Sequence, residues 1–212
     1  TLGIVACDVG QGLICYTPEG QVVWNVPLSK PSTAVPAVAD VNKDGQEEIV
    51  AADGHAHLLL IDKDGGVLWK AETRGVVQAE SAPVIDDLDQ DERLEILIGD
   101  QSGAVNCFDS NGRNLWTFVA EGDQIGTPLV ADLYDTPGKE IIFTSHNGHI
   151  YALNSKGKLL WQIYHPKECI PWSLPVLADT DKDRIPEVYI GGGLHHFIRI
   201  DLKKPAIDLD MN

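Results

Sequence analysis

Residues 83–118 read PVIDDLDQDERLEILIGDQSGAVNCFDSNGRNLWTF. The apolar runs in this stretch are short, at 83–85, 94–98, 105–108 and 115–118. Turn-forming clusters divide them: Asp-Gln-Asp-Glu, Gln-Ser-Gly and Ser-Asn-Gly. Short apolar runs punctuated in this way are the pattern of successive antiparallel strands. No window carries the longer 3.6-residue periodicity that a helix would show. The stretch therefore predicts four strands, labelled A to D in order.

The pattern recurs along the chain. Trp24, Trp69, Trp116 and Trp161 each follow a glycine by four residues (Gly20, Gly65, Gly112, Gly157). Pro36, Pro83, Pro128 and Pro175 each precede an aspartate by four (Asp40, Asp87, Asp132, Asp179). A glutamate follows eight positions later, at Glu48, Glu95, Glu140 and Glu187. Successive tryptophans are 45 to 47 residues apart, the spacing of propeller blades or solenoid units. One four-stranded sheet cannot bury both of its faces, so the repeats must stack. Radial stacking gives an all-β fold, the β-propeller. The proline suits strand A, the innermost strand, where a missing N–H costs least.

The repeats run over 31–74, 75–122 and 123–168, with partial repeats at 1–30 and 169–212. Together they predict one domain of about 4.5–5 blades. Residues 1–30 supply strands B, C and D (4–6, 13–16, 22–26) without a strand A. The last repeat supplies A, B and C, because Lys204 and Asp208 stand where glycine and tryptophan are due. The tail at 205–210 has the letters of another strand A but lies too near strand C to reach the axis. The expectation is a piece of a larger propeller, or one completed by a partner chain or by self-association.

The formal net charge of −16 argues against nucleic acid or an anionic membrane as partner. No apolar run approaches the length of a membrane span. The acidic residues have a pattern beyond solubility. Asp40, Asn42, Asp44 and Glu48 offer oxygens at positions 1, 3, 5 and 9 of a tight loop, with the Gln46 carbonyl at position 7. Asp87, Asp89, Asp91, Arg93 and Glu95 repeat the arrangement, as do Asp179, Asp181, Asp183, Ile185 and Glu187. Alternating oxygen donors across a turn match the six to eight hard ligands of calcium. Without a cation these carboxylates repel one another. The plainer reading is that they are Asp-rich turns bonding their own backbone. The loop at 132–140 lacks donors at positions 3 and 5 and is expected to take no ion. Three structural calcium ions are the prediction.

Residues 38–49, VADVNKDGQEEI, resemble the FG-GAP or VCBS-type repeat of integrin-α-like propellers. Residues 150–161, IYALNSKGKLLW, are similar to the quinoprotein (PQQ-like) propeller repeat. The resemblance covers nearly the whole chain and implies a secreted, periplasmic or cell-surface propeller. It speaks to fold far more than to function.

Antiparallel order puts A–B and C–D turns on one face and B–C and D–A connections on the other. All seven histidines fall on the second face. His55, His57, His146, His149, His195 and His196 lie in B–C turns, and His165 in a D–A link. With Glu80, Asp123, Gln124, Cys169 and Trp172 they predict a ligand-recognition surface, with a transition metal as one use. The plainer reading is that histidine tolerates exposed turns. Cys15 and Cys107 occupy the small slot that Ala152 holds in the matching strand C. Cys7 and Cys15 flank Gln11 symmetrically, which allows a cross-strand disulfide.

Two function classes follow. One is a noncatalytic, calcium-stabilised module binding protein or carbohydrate outside the cytoplasm. The other is a propeller enzyme, either a quinoprotein-type dehydrogenase or a polysaccharide lyase or hydrolase. The resemblance to quinoprotein enzymes lacks their adjacent cysteine pair. The spacing demands no acid–base constellation, so the first class is expected.

Overall fold

The computed structural model describes residues 3–8, 10–30, 32–78, 81–164, 174–191, 197–202 and 206–208, the last as backbone. Among them are nineteen β-strands and no helix. The first blade has three strands, β1 (Ile4–Asp8), β2 (Gly12–Tyr16) and β3 (Val22–Val26). The second comprises β4 (Ala37–Ala39), β5 (Glu48–Asp53), β6 (His57–Ile61) and β7 (Val67–Glu72). The third comprises β8 (Val84–Asp86), β9 (Glu95–Gly99), β10 (Ala104–Phe108) and β11 (Asn114–Val119). The fourth holds β12 (Leu129–Ala131), β13 (Glu140–Thr144), β14 (His149–Leu153) and β15 (Leu159–Tyr164). The fifth holds β16 (Val176–Ala178), β17 (Glu187–Gly191), β18 (Phe197–Asp201) and β19 (Ala206–Asp208). Each blade is an antiparallel sheet in chain order.

Strands β9 and β10 are buried along their whole length. Their period of two sends alternate side chains into two different joints. Ile96, Ile98 and Phe108 pack with Val50, Ala52, Leu58 and Leu60 of the preceding blade. Leu97, Val105 and Cys107 pack with Ile141, Phe143, Tyr151 and Leu153 of the next. Burial on both faces is why strands B and C read as continuous rather than alternating apolar runs. The short A strands β4, β8 and β12 adjoin one another at the inner edges of the blades. Each starts directly after its proline.

The recurring tryptophan clasps neighbouring blades. The indole N–H of Trp24 donates to the Lys63 carbonyl at 2.9 Å, Trp69 to Ser110 at 2.9 Å and Trp116 to Ser155 at 3.1 Å. These carbonyls lie in C–D turns of the next blade, beside Gly65, Gly112 and Gly157, whose φ angles are 89°, 77° and 73°. A Cβ on those glycines would stand 3.0, 2.7 and 2.5 Å from ring carbons of the clasping indole. Glycine is needed there for its backbone and for the ring above it. Backbone bonds join the same blades on the opposite face: Gly54 N–H to Lys30, Gln101 to Val76, and His146 to Asp123, at 3.1, 2.9 and 3.2 Å.

Two expectations are corrected. The fifth blade has its fourth strand, because 206–208 folds back as a hairpin on β18 (Arg199↔Asp208) and supplies strand D rather than another strand A. The first hairpin pairs Asp8 with Gly12 and Val5 with Cys15, so it is centred on Gly10 and not Gln11. Cys7 faces Leu13 instead of Cys15, and Cys7, Cys15 and Cys107 are free thiols.

Candidate cation loops and the two faces of the propeller

The three A–B loops with full acidic patterns share one backbone. The first aspartate accepts N–H bonds from the fifth and sixth residues: Asp44 and Gly45, Asp91 and Glu92, or Asp183 and Arg184, at 2.9–3.1 Å. The fifth carboxylate accepts from the seventh N–H, of Gln46, Arg93 or Ile185, at 2.8–2.9 Å. This geometry turns positions 4 and 6 into the left-handed region: Lys43 and Gly45, Gln90 and Glu92, Lys182 and Arg184. Only the first loop has glycine at position 6. At Glu92 and Arg184 the conformation costs about 1–2 kcal/mol each.

The glutamate at position 9 is a clamp first. Its carboxylate accepts the N–H of loop residue 2 in every blade that has one: Val41 at 2.9 Å, Leu88 at 2.9 Å, Leu133 at 2.8 Å and Thr180 at 3.0 Å. Glu140 keeps this bond in a loop without the other acidic donors. There Thr136 donates to Glu140 at 2.9 Å, and Tyr134, at position 3, receives the Trp161 indole N–H on its hydroxyl at 2.8 Å.

The acidic loops are not equivalent. Carboxylate oxygens of Asp179, Asp181, Asp183 and Glu187 lie within 4.8 Å of one another, as do those of Asp87, Asp89 and Glu95. Asp91 stands apart because Arg93 holds it through Nε at 2.8 Å and through Nη2. In the 40–48 loop the Asn42 amide donates to both Asp44 and Glu48 at 3.3 Å, filling the centre with a neutral donor.

The charges beneath the loops differ as well. Burial pushes the Glu95 carboxyl up to about 7, and Asp89, Asp91 and Asp87 add to it against the Leu88 N–H. Glu187 is held down to about 2, first by the Thr180 N–H, with the Thr180 hydroxyl and Arg199 assisting against burial. Arg199 Nη2 lies 3.1 Å from Glu187 Oε1 and 3.6 Å from Asp181 Oδ2. Arg199 fills the strand C slot that Cys15, Leu60, Cys107 and Ala152 occupy in the other blades, opposite the tryptophan position. In the third blade, burial and then the charges of Glu95 and Asp89 raise the Cys107 thiol. The slot therefore lies against the acidic loop. Loop 87–95, with crowded hard oxygens, Arg93 drawn aside to Asp91 and no cation in this slot, is the better fit to calcium.

Clefts open on this acidic face. One of about 260 Å³ lies between Asp89, Arg93, Asn111 and Arg113. Another of about 310 Å³ is bounded by Asp89, Glu95, Leu115, Trp116 and Lys156, and so spans two blades. A third of about 230 Å³ joins Asp44 and Glu48 to Lys63 and Leu68. The histidine face offers less. His57 Nδ1 is 3.0 Å from both oxygens of buried Asp53, which also accepts the Ser29 hydroxyl and faces Lys70 at 3.3 Å. Burial works to raise the Asp53 carboxyl, but Ser29, the His55 N–H and His57 together lower it to about 2. His149 lies against the rings of Tyr164 and Tyr151, and His146 lies 3.9 Å from Asp123. Among the described residues no histidine joins a group of three metal-ligating side chains. His57 and His149 bond within their own turns, and His146 reaches only Asp123 of the adjoining link. Glu80, Trp172, His165, His195, His196 and Cys169 lie outside the described residues.

Two residues were missed by sequence reading, Arg199 and Tyr134. Both had a positional signal: Arg199 stands nine residues before Asp208, as Cys107 stands nine before Trp116, and Tyr134 sits at loop position 3.

Residues 3–85 and 57–131 match the family described as the lambda-carrageenase beta-propeller domain. No curated protein matches the chain. Among solved structures, BamB from Moraxella catarrhalis is 16% identical, with 97% of this chain and 60% of that one covered and a TM-score of 0.67. BBS1N in complex with ARL6DN is 11% identical, covering 99% and 64%, with a TM-score of 0.64. Sqt1 of Saccharomyces cerevisiae is 16% identical, covering 91% and 52%, with a TM-score of 0.70. At such identities the likeness is one of fold. The chain spans about 60% of the length of the BamB chain.

Proposed function

Because the chain belongs to the lambda-carrageenase β-propeller domain family, we propose that it is a noncatalytic module that binds carbohydrate outside the cytoplasm. The observation that carries this is the paired cleft on the acidic face. Its walls mix exposed Leu115 and the Trp116 ring with Arg113, Asn111 and Lys156, the apolar-plus-polar lining that sugars require. Asp87, Asp89 and Glu95 would hold a calcium ion on that wall, where it would fix the A–B loop and offset carboxylate repulsion. Such loops fill at the calcium levels found outside cells. The FG-GAP-like and quinoprotein-like sequence features fit this extracellular reading. A protein ligand is the second reading, favoured by the BBS1N structure, which was solved in complex with ARL6DN. The three-stranded first blade has an open inner edge among the described residues, where a strand from a partner chain or another copy would complete the sheet.

Calorimetry with oligosaccharides, on the native chain and on Arg113→Ala, tests the proposal. Binding should be weakened severalfold in the variant with its melting curve unchanged. Full-affinity binding by the variant would move the ligand elsewhere. New reducing ends or unsaturated products during incubation would support the alternative, a polysaccharide-cleaving enzyme.

A further inference from the structure

The acidic loop at 179–187 has the most complete set of oxygen donors in the chain, yet a positive charge already stands beside it. Arg199 projects from β18 next to both Glu187 and Asp181, at 3.1 and 3.6 Å. Its guanidinium presents fixed donors, stays charged at any ordinary pH and suits carboxylate pairs. No other described blade has a cation in this slot. Cys15, Leu60, Cys107 and Ala152 fill it elsewhere. Loop backbone and acidic donors match those of 87–95, but the cations differ: Arg93 pairs with Asp91 alone at 87–95, whereas Arg199 meets both Glu187 and Asp181 at 179–187.

We propose that Arg199 is a resident cation that takes the place of a metal ion, making the 179–187 loop metal-independent while 87–95 is not. Two carboxylates that a divalent ion would need, Asp181 and Glu187, are neutralised from within. An incoming calcium ion would have to share them with a guanidinium that cannot lose its proton. The same logic predicts the conversion: removing the guanidinium should open the loop to an ion. The inference rests on the cation reading of the loops, and the experiment must separate the two.

Native mass spectrometry in calcium, with isothermal titration in parallel, is to be run on the full chain and its variants. In the native chain, Asp89→Asn should remove one ion, whereas Asp179→Asn with Asp181→Asn should leave the count unchanged. Arg199→Met should add one ion, which Asp183→Asn then abolishes. Arg199→Lys, which keeps the charge, should add none. If the Asp179→Asn, Asp181→Asn pair lowers the native count, the loop already holds metal and the proposal falls. If Arg199→Met folds and gains no ion while Asp89→Asn still loses one, Arg199 is no substitute but the calcium reading stands. If no form binds calcium, both readings fall. The aspartate pair in the native background decides the matter even where Arg199→Met does not fold.

Discussion

Gly20 and Gly157 hold the same place in their C–D turns, and both are left-handed, with φ of 84° and 73°. Above Gly157 lies the Trp116 ring, 2.5 Å from where a Cβ would sit, whereas nothing lies within 4 Å of Gly20. The comparison separates two reasons for one conserved-looking letter pattern. The turn itself needs glycine for its handedness, because Thr17, Asp62, Asp109 and Asn154 bend the chain through side-chain bonds to the backbone two and four residues on. The joint needs glycine so that the preceding blade's indole can lie flat on the turn. The fifth blade illustrates the converse. Its sequence has Lys204 at the glycine position, and Trp161 turns its N–H to Tyr134 in its own blade.

The comparison can be broken most directly by removing a ring. Trp116→Ala should cost about 3–5 kcal/mol in denaturant unfolding, more than Trp24→Ala, whose blade has three strands. Equal losses would mean that the first joint is as tightly packed as the third. Next, Gly157→Ala should combine a left-handed penalty of about 1–2 kcal/mol with an overpacking cost of about 1–3 kcal/mol. Gly20→Ala should show the first part alone, and matched melting temperatures for the two variants would refute the clasp. Tyr134→Phe should cost only about 0.5–1.5 kcal/mol, the value of one hydrogen bond, and should leave unfolding of a Trp161→Phe background unchanged.

A further effect is one of pH. Asp53 is lowered in the folded chain from 3.8 to about 2. Its folded pKa lies below the unfolded one, so its stabilisation is complete above pH 3.8 and is lost as pH falls towards 2. The melting temperature should drop across that window, less steeply in Asp53→Asn. Glu95 has the opposite sign. With its pKa raised from 4.5 to about 7, its contribution is fully present below 4.5 and lost as pH rises through 7.

Much of the architecture was legible in the letters because it is local and repeated. The Gly-x-x-x-Trp and Pro-x-x-x-Asp spacings, the short apolar runs and the assignment of turns to faces all follow from nearest-neighbour rules. What was not legible depends on pairing across the sheet. The register of the first hairpin moved by one residue, which separated Cys7 from Cys15. Strand 206–208 carries no tryptophan and pairs only because β18 presents it with an edge. Loops with nearly identical letters diverged for similar reasons: Asn42 bridges its own carboxylates, Arg93 withdraws Asp91, and Arg199 reaches in from another strand. His55, His57, His146 and His149 do lie at B–C turns, but those turns belong to different blades and make no shared site among the described residues.

Trp116 belongs to two structures at once: its indole N–H fastens the third blade to Ser155 of the fourth, and its ring forms part of the wall of the cleft beside Glu95. A molecule entering that cleft must touch the fastening itself. Occupancy should therefore change the ultraviolet emission of this one chromophore and retard the separation of the two blades, so that the protein carries its own optical gauge of whether the cleft is filled.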